Sequence, residues 1–240
     1  MTVPPISNSF DGGSDGTTIT IGNSGGGSGS AVDATVIGLG CTLTYNVDPL
    51  SGDLCAHAVM AATAAQTFFE WNAVGSLTAA VYVRFYLLKT ATPAGTWFYP
   101  CEFLTAAGSR CCGLAITTGN LLRIDNAAGT SVGTSTITIP SNQWVRIEAK
   151  VVASTTVGTA EYRIYRNADA PAGNYDETKT FTALVLGANI DEIAFGVIST
   201  VTNMNGQHWY HDNVAISTVD WLGPAQSSTR FVPARMPLGV

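Results

Sequence analysis

Two stretches do most to limit what this chain can fold into. In "WVRIEAKV", Val145, Ile147, Ala149 and Val151 alternate with Arg146, Glu148 and Lys150. In "AEYRIYR", Ala160, Tyr162 and Ile164 alternate with Glu161, Arg163 and Tyr165. Successive side chains of a strand point to opposite faces, so a period of two marks a strand with one dry and one wet face. Two such strands joined by a short loop predict an antiparallel meander in one sheet of a two-sheet sandwich. "VYVRFYLL" is apolar on both faces apart from Arg84, as a central strand would be.

The rest of the chain repeats the theme. Strand-like runs fall near 17–21, 41–47, 54–61, 67–72, 79–89, 96–104, 111–117 and 120–125, and again near 134–139, 143–153, 158–167, 177–185, 190–199 and 207–217. Turn signals such as "DPLSG", "TPAG", "NAAG", "IPSN" and "ADAPAGN" separate most of them. The alanine-rich "CAHAVMAATAAQ" lacks an N-cap followed by a 3.6-residue apolar stripe, so it is read as strand. The expected fold class is therefore all-β, a two-sheet antiparallel jelly-roll sandwich. The domain expectation is an extended arm over 1–6, one sandwich over 7–224, and a tail over 225–240. Glycine-rich 11–30 is expected to be an ordered, turn-rich edge, since Thr-Ile-Thr-Ile lies within it.

"WYHDNVAIS" poses a problem for this scheme. Strict alternation puts Tyr210, Asp212, Val214 and Ile216 on one face, so an aspartate shares the side of two core aliphatics. A carboxylate there would have to be neutralised or heavily hydrogen-bonded.

Charge excludes some functions. A net charge of -6 argues against nucleic acid or an anionic membrane as the main partner. The apolar runs are too short to span a bilayer, and no basic segment precedes an apolar one at Met1. Cys41, Cys55, Cys101, Cys111 and Cys112 are odd in number and lack CxxC spacing. They are expected to be small buried hydrophobes without a structural disulfide, in a chain assembled in a reducing cytoplasm.

Four stretches carry a family likeness. "NQWVRIEAKVVAS", "GTAEYRIYR", "IDEIAFGV" and "HWYHDNVAIS" resemble the last strands of concanavalin A-like and laminin-G-like jelly rolls. "NSFDGG" looks like the first strand of related carbohydrate-binding jelly rolls, and "DWLGPA" closes the domain. The combination resembles virion structural and minor tail proteins of actinobacterial phages. The resemblance implies a virion protein, made in the host bacterial cytoplasm, that works by assembly as a homo-oligomer with other virion proteins. It also implies a structural calcium held by Asp11 and Asp212, with Asn8 completing an oxygen shell. Asp11 stands where the family has Glu, and Asn213 where it has a second Asp.

Catalytic signals are sparse. No Glu-x-Asp-x-Glu run lines up carboxylates on one face of a strand, and the adjacent pairs Asp176–Glu177 and Asp191–Glu192 diverge. His208 and His211 fall on opposite faces of a strand, His57 stands alone, and there is no Gly-x-Ser-x-Gly elbow. The expectation is a protein that is not an enzyme. A carbohydrate-binding module or lectin is the second reading, with Tyr82, Arg84, Tyr86, Arg163 and Tyr165 as a glycan face. Arg230, Phe231, Arg235, Met236 and Leu238 in the tail are expected to dock on a neighbouring subunit.

Overall fold

The computed structural model describes residues 4–61, 65–95, 97–201 and 204–225, apart from the side chains of 199–201. The expected docking residues from Arg230 to Leu238 lie outside the described residues. Among the described residues fifteen strands follow one another. β1 is Ile6–Asn8, β2 Ala34–Ile37, β3 Thr42–Val47, β4 Leu54–Val59 and β5 Ala65–Trp71. β6 is Ala80–Lys89, β7 Phe98–Leu104, β8 Arg110–Ile116, β9 Leu121–Asp125 and β10 Ser131–Thr138. β11 is Val145–Val152, β12 Gly158–Tyr165, β13 Glu177–Leu184, β14 Glu192–Val201 and β15 His208–Ser217.

They form two antiparallel sheets. The first runs β13-β12-β11-β6-β15-β4-β3, with β1 also on β15; the second runs β10-β9-β8-β7-β14-β5-β2. The apolar sets of β11 and β12 face inward with Val81, Val83, Phe85 and Leu87 of β6 and meet Phe69, Phe98, Phe103 and Phe195 of the second sheet. This is the expected sandwich. β6 is central, flanked by β11 and β15. Of the expected strand at 17–21 only an isolated bridge, Thr18 to Thr44, is formed, although Ile19 is fully buried.

A bulge resolves the problem of Asp212. β15 pairs with β6 through Asp212–Tyr86 and then Ala215–Arg84, so Asn213 and Val214 together oppose Phe85. Asn213 takes φ 47°, a left-handed conformation that asparagine tolerates better than most side chains. The extra residue reverses the alternation. Val214 and Ile216 enter the core, whereas Asp212 faces outward with Tyr86. The reading that Asp212 shares the core side of Val214 is therefore corrected. At the same place β15 exchanges its neighbour: His208–His211 pair with β4, and Val214–Ile216 pair with β1.

A second bulge sits in β7. Phe98 pairs with Ile116 and Cys101 with Leu114, three residues against two. Pro100 lies in the irregularity, where a missing N–H costs no ladder bond. Phe98, Cys101 and Phe103 stay in the core, so Tyr99, Glu102 and Leu104 share the outer face. All five cysteines are buried and free.

Candidate functional site

The side chains expected to bind glycan do gather on one face. Register across β6, β11 and β12 sets Arg146 between Tyr86 and Tyr165, and Glu148 between Arg84 and Arg163. That face is roofed by the chain itself. Trp221 lies over Arg163, 3.6 Å from guanidinium to ring centroid, and meets Tyr82 edge-on at 5.4 Å. Arg84 Nη1 donates to the Gly223 carbonyl at 3.2 Å, and Ala225 N donates to the Tyr86 hydroxyl at 2.9 Å. From the loop after β12, the Ala168 carbonyl accepts from Arg146 Nη1 at 2.6 Å. Tyr86 and Tyr165 are fully buried, and Tyr82 and Arg84 nearly so.

The alternation in β11 had marked Arg146, Glu148 and Lys150 as pointing to water. Arg146 and Glu148 are in fact wholly buried, 3.0 Å apart, with Arg146 stacked 3.7 Å over the ring of Tyr165. Burial raises the Glu148 carboxyl above its ordinary value, against the pull of Arg146, Arg163 and Arg84. Trp144 belongs to this outer layer and donates its indole N–H to Asp48 at 2.7 Å.

An opening lies beside the Asn213 bulge. It is a pocket of about 230 Å³ lined by Ser7, Asn8, Ser9, Ser28, Arg84 and Asn213, with Val214 and Ala225 at its sides. Arg84 Nε donates to the Asn213 carbonyl at 3.1 Å, which fixes the guanidinium in the wall. Burial pulls that group down from its ordinary value. Asn8, buried in β1, donates to the carbonyls of Ser24 and Ser30 at 2.6 and 2.8 Å and accepts from Phe10 N at 2.8 Å. The glycine-rich segment is thereby ordered against β1. At Gly29, φ 118°, a Cβ would come within 2.3 Å of the Ser7 carbonyl oxygen, so the approach needs glycine. Among the described residues the pocket wall offers hydroxyl, amide and guanidinium groups and no carboxylate, imidazole or thiol.

Of the residues that the resemblance assigns to calcium, two already make hydrogen bonds. The Asn8 side-chain oxygen is taken by Phe10 N, and the Asp212 carboxylate accepts from both the backbone and the side-chain amide of Asn213, at 2.6 and 2.9 Å. Asp11 lies in an exposed turn. Among the described residues no three His, Cys, Asp or Glu side chains come together as a metal site. A chelator is therefore expected to leave the melting temperature unchanged; a fall reversed by added calcium would contradict this.

Sequence reasoning missed a histidine pair. His57 of β4 and His208 of β15, 151 positions apart, place Nε2 and Nδ1 2.9 Å from each other. Tyr210 stacks on His57 with ring centroids 4.3 Å apart. Burial, and then the charge of His208, lower His57 to about 4. His211 faces the other way, into the core between Phe69 and Phe85. No signal along the chain foretells a pair made by strands so distant in sequence.

No protein-family model and no curated protein matches the chain. Solved structures do. Cellulose induced protein, Cip1, aligns with a TM-score of 0.54 at 14% identity, covering 91% of this chain and 99% of that one. A protein of unknown function from Shewanella oneidensis MR-1 aligns with a TM-score of 0.52 at 15% identity, over 92% and 91% of the two chains. Arcelin-5, a lectin-like defense protein from Phaseolus vulgaris, aligns at 0.45 with 8% identity over 76% and 88%. At these identities the likeness is one of fold. The chain is an all-β, two-sheet antiparallel sandwich.

Proposed function

We propose that this chain is a non-enzymatic carbohydrate-binding protein and that the Arg84 pocket receives its ligand. One observation carries the reading: the pocket wall holds donors and acceptors for hydroxyls but, among the described residues, no carboxylate, imidazole or amine to activate its serines or act as general base. Its volume of about 230 Å³ lies below the roughly 300 Å³ where pockets for drug-sized molecules begin, which suits a single sugar ring. Rigid sheet supplies Arg84, while the bulge and the roof supply carbonyls that hold the guanidinium in place. The placement in a phage virion, with other virion proteins as partners, rests on the sequence resemblance alone.

The test is a glycan array probed with the native protein and with Ser9→Phe, which fills the pocket from its half-buried wall. Binding to a defined set of glycans, lost in Ser9→Phe while the melting temperature is kept, is the expected result. Equal binding by both proteins would remove the pocket from the account.

A further inference from the structure

The outer face of the second sheet carries a separate group of side chains. Trp97, just before β7, is 43% exposed, and the Arg123 guanidinium of β9 lies 4.3 Å over its ring. Arg123 Nη2 reaches Asp125 Oδ2 at 2.5 Å, and the Tyr99 hydroxyl donates to the same oxygen at 2.6 Å. Arg110 of β8 stacks 4.1 Å over Tyr99 and bonds Glu102 Oε1 through Nε at 2.6 Å. The register explains the grouping: Glu102, Gly113 and Asp125 lie side by side across β7, β8 and β9. Gly113 leaves room for the Tyr99 ring, since a Cβ there would come within 2.7 Å of it. The Pro100 bulge keeps Glu102 on the face of Tyr99.

The group has bonding capacity left over. Asp125 is fully buried, yet its Oδ1 has no hydrogen-bond partner, and neither does the buried Nε of Arg123. An orphaned buried polar atom keeps its desolvation penalty, so a ligand that satisfies both recovers free energy that a plain surface ion pair could not offer. One atom is an acceptor and the other a donor. Neighbouring hydroxyls supply both complements, and a half-exposed indole beside them supplies the flat apolar platform on which a sugar ring stacks. Each arginine is matched by its own carboxylate, so the group carries no net charge to select an anion.

From these contacts we infer that Trp97, Arg123 and Asp125, held by Tyr99 and the Arg110–Glu102 pair, form a second binding site, for a neutral polysaccharide chain. The half-exposed indole at the mouth of β7 shifts to admit hydroxyls to Asp125 and Arg123 while its ring stacks on a sugar. The site stands on the opposite sheet from the Arg84 pocket and does not depend on the pocket being occupied.

Affinity electrophoresis tests it, with the native protein, Trp97→Ala, Trp97→Phe and Ser9→Phe run in gels holding mixed-linkage β-glucan, xyloglucan, galactomannan or, as acidic comparator, polygalacturonate. Native protein and Ser9→Phe should be slowed in at least one neutral gel, to the same extent at low and high salt. Trp97→Ala should bind at least about tenfold more weakly, as removal of an aromatic anchor does. Trp97→Phe should fall between the two. No retardation in any neutral gel, retardation that Trp97→Ala leaves intact, or salt-sensitive retardation in polygalacturonate alone would each overturn the proposal. Loss in Ser9→Phe with retention in Trp97→Ala would assign neutral-chain binding to the pocket and likewise overturn the second site.

Discussion

Replacing Arg146 by methionine should cost about 3–5 kcal/mol of unfolding free energy, because it leaves a buried carboxylate without its counter-charge. Glu148 and Arg146 are both wholly buried and 3.0 Å apart. The guanidinium also bonds the Ala168 carbonyl and stacks on Tyr165, so its loss loosens the loop roof as well as the ion pair. Arg84 and Arg163 flank Glu148 on either side and soften the penalty without removing it. The double variant Arg146→Met with Glu148→Leu should be clearly less destabilised than Arg146→Met alone, since no uncompensated charge remains. Urea denaturation of the three proteins reads both results. A double variant as unstable as the single one would show that packing and not charge dominates this layer.

Acid should weaken the fold through two histidines. His57 and His211 are each lowered to about 4, His57 by burial and then the charge of His208, His211 by burial against a backbone bond to Pro100. Both are held neutral in the folded chain, whereas the unfolded chain protonates them near 6.5. The unfolded state therefore binds more protons between those values, and stability falls as pH drops from 6.5 to 4. Above 6.5 the contribution is fully present, and below 4 it is spent. Each shift corresponds to about 3 kcal/mol across that window. Buried Glu102 and Glu148, whose carboxyls are raised by burial, act in the opposite sense at the acid end. The histidine share is isolated by comparing native protein with His57→Asn/His211→Leu. Their stability difference should change steeply between pH 6.5 and 4, and parallel curves would refute the assignment.

The strands were largely legible because alternation is local. Val145–Val151 and Ala160–Ile164 entered the core as their pattern requires, and β6 proved central because both of its faces are buried. Strict alternation breaks at two places. At Asn213 and near Pro100 an extra residue reverses the parity, and each reversal aims the side chains of a candidate site. Asparagine and proline inside strand patterns are the available signals for such bulges. The wet face of β11 was hidden for another reason: polar side chains on a strand do not reveal that residues 168 and 221–225 cover them. The His57–His208 contact and the Trp97 cluster depend on pairings between remote strands, which a period of two does not encode.

Titration of isotope-labelled protein with the strongest glycan from the array, followed by amide NMR, tests the central claim most directly. The account predicts shifts at Ser7, Asn8, Ser9, Ser28, Asn213 and Ala225, around the pocket walled by Arg84. Shifts confined to other surfaces, or none for any glycan on the array, would contradict it.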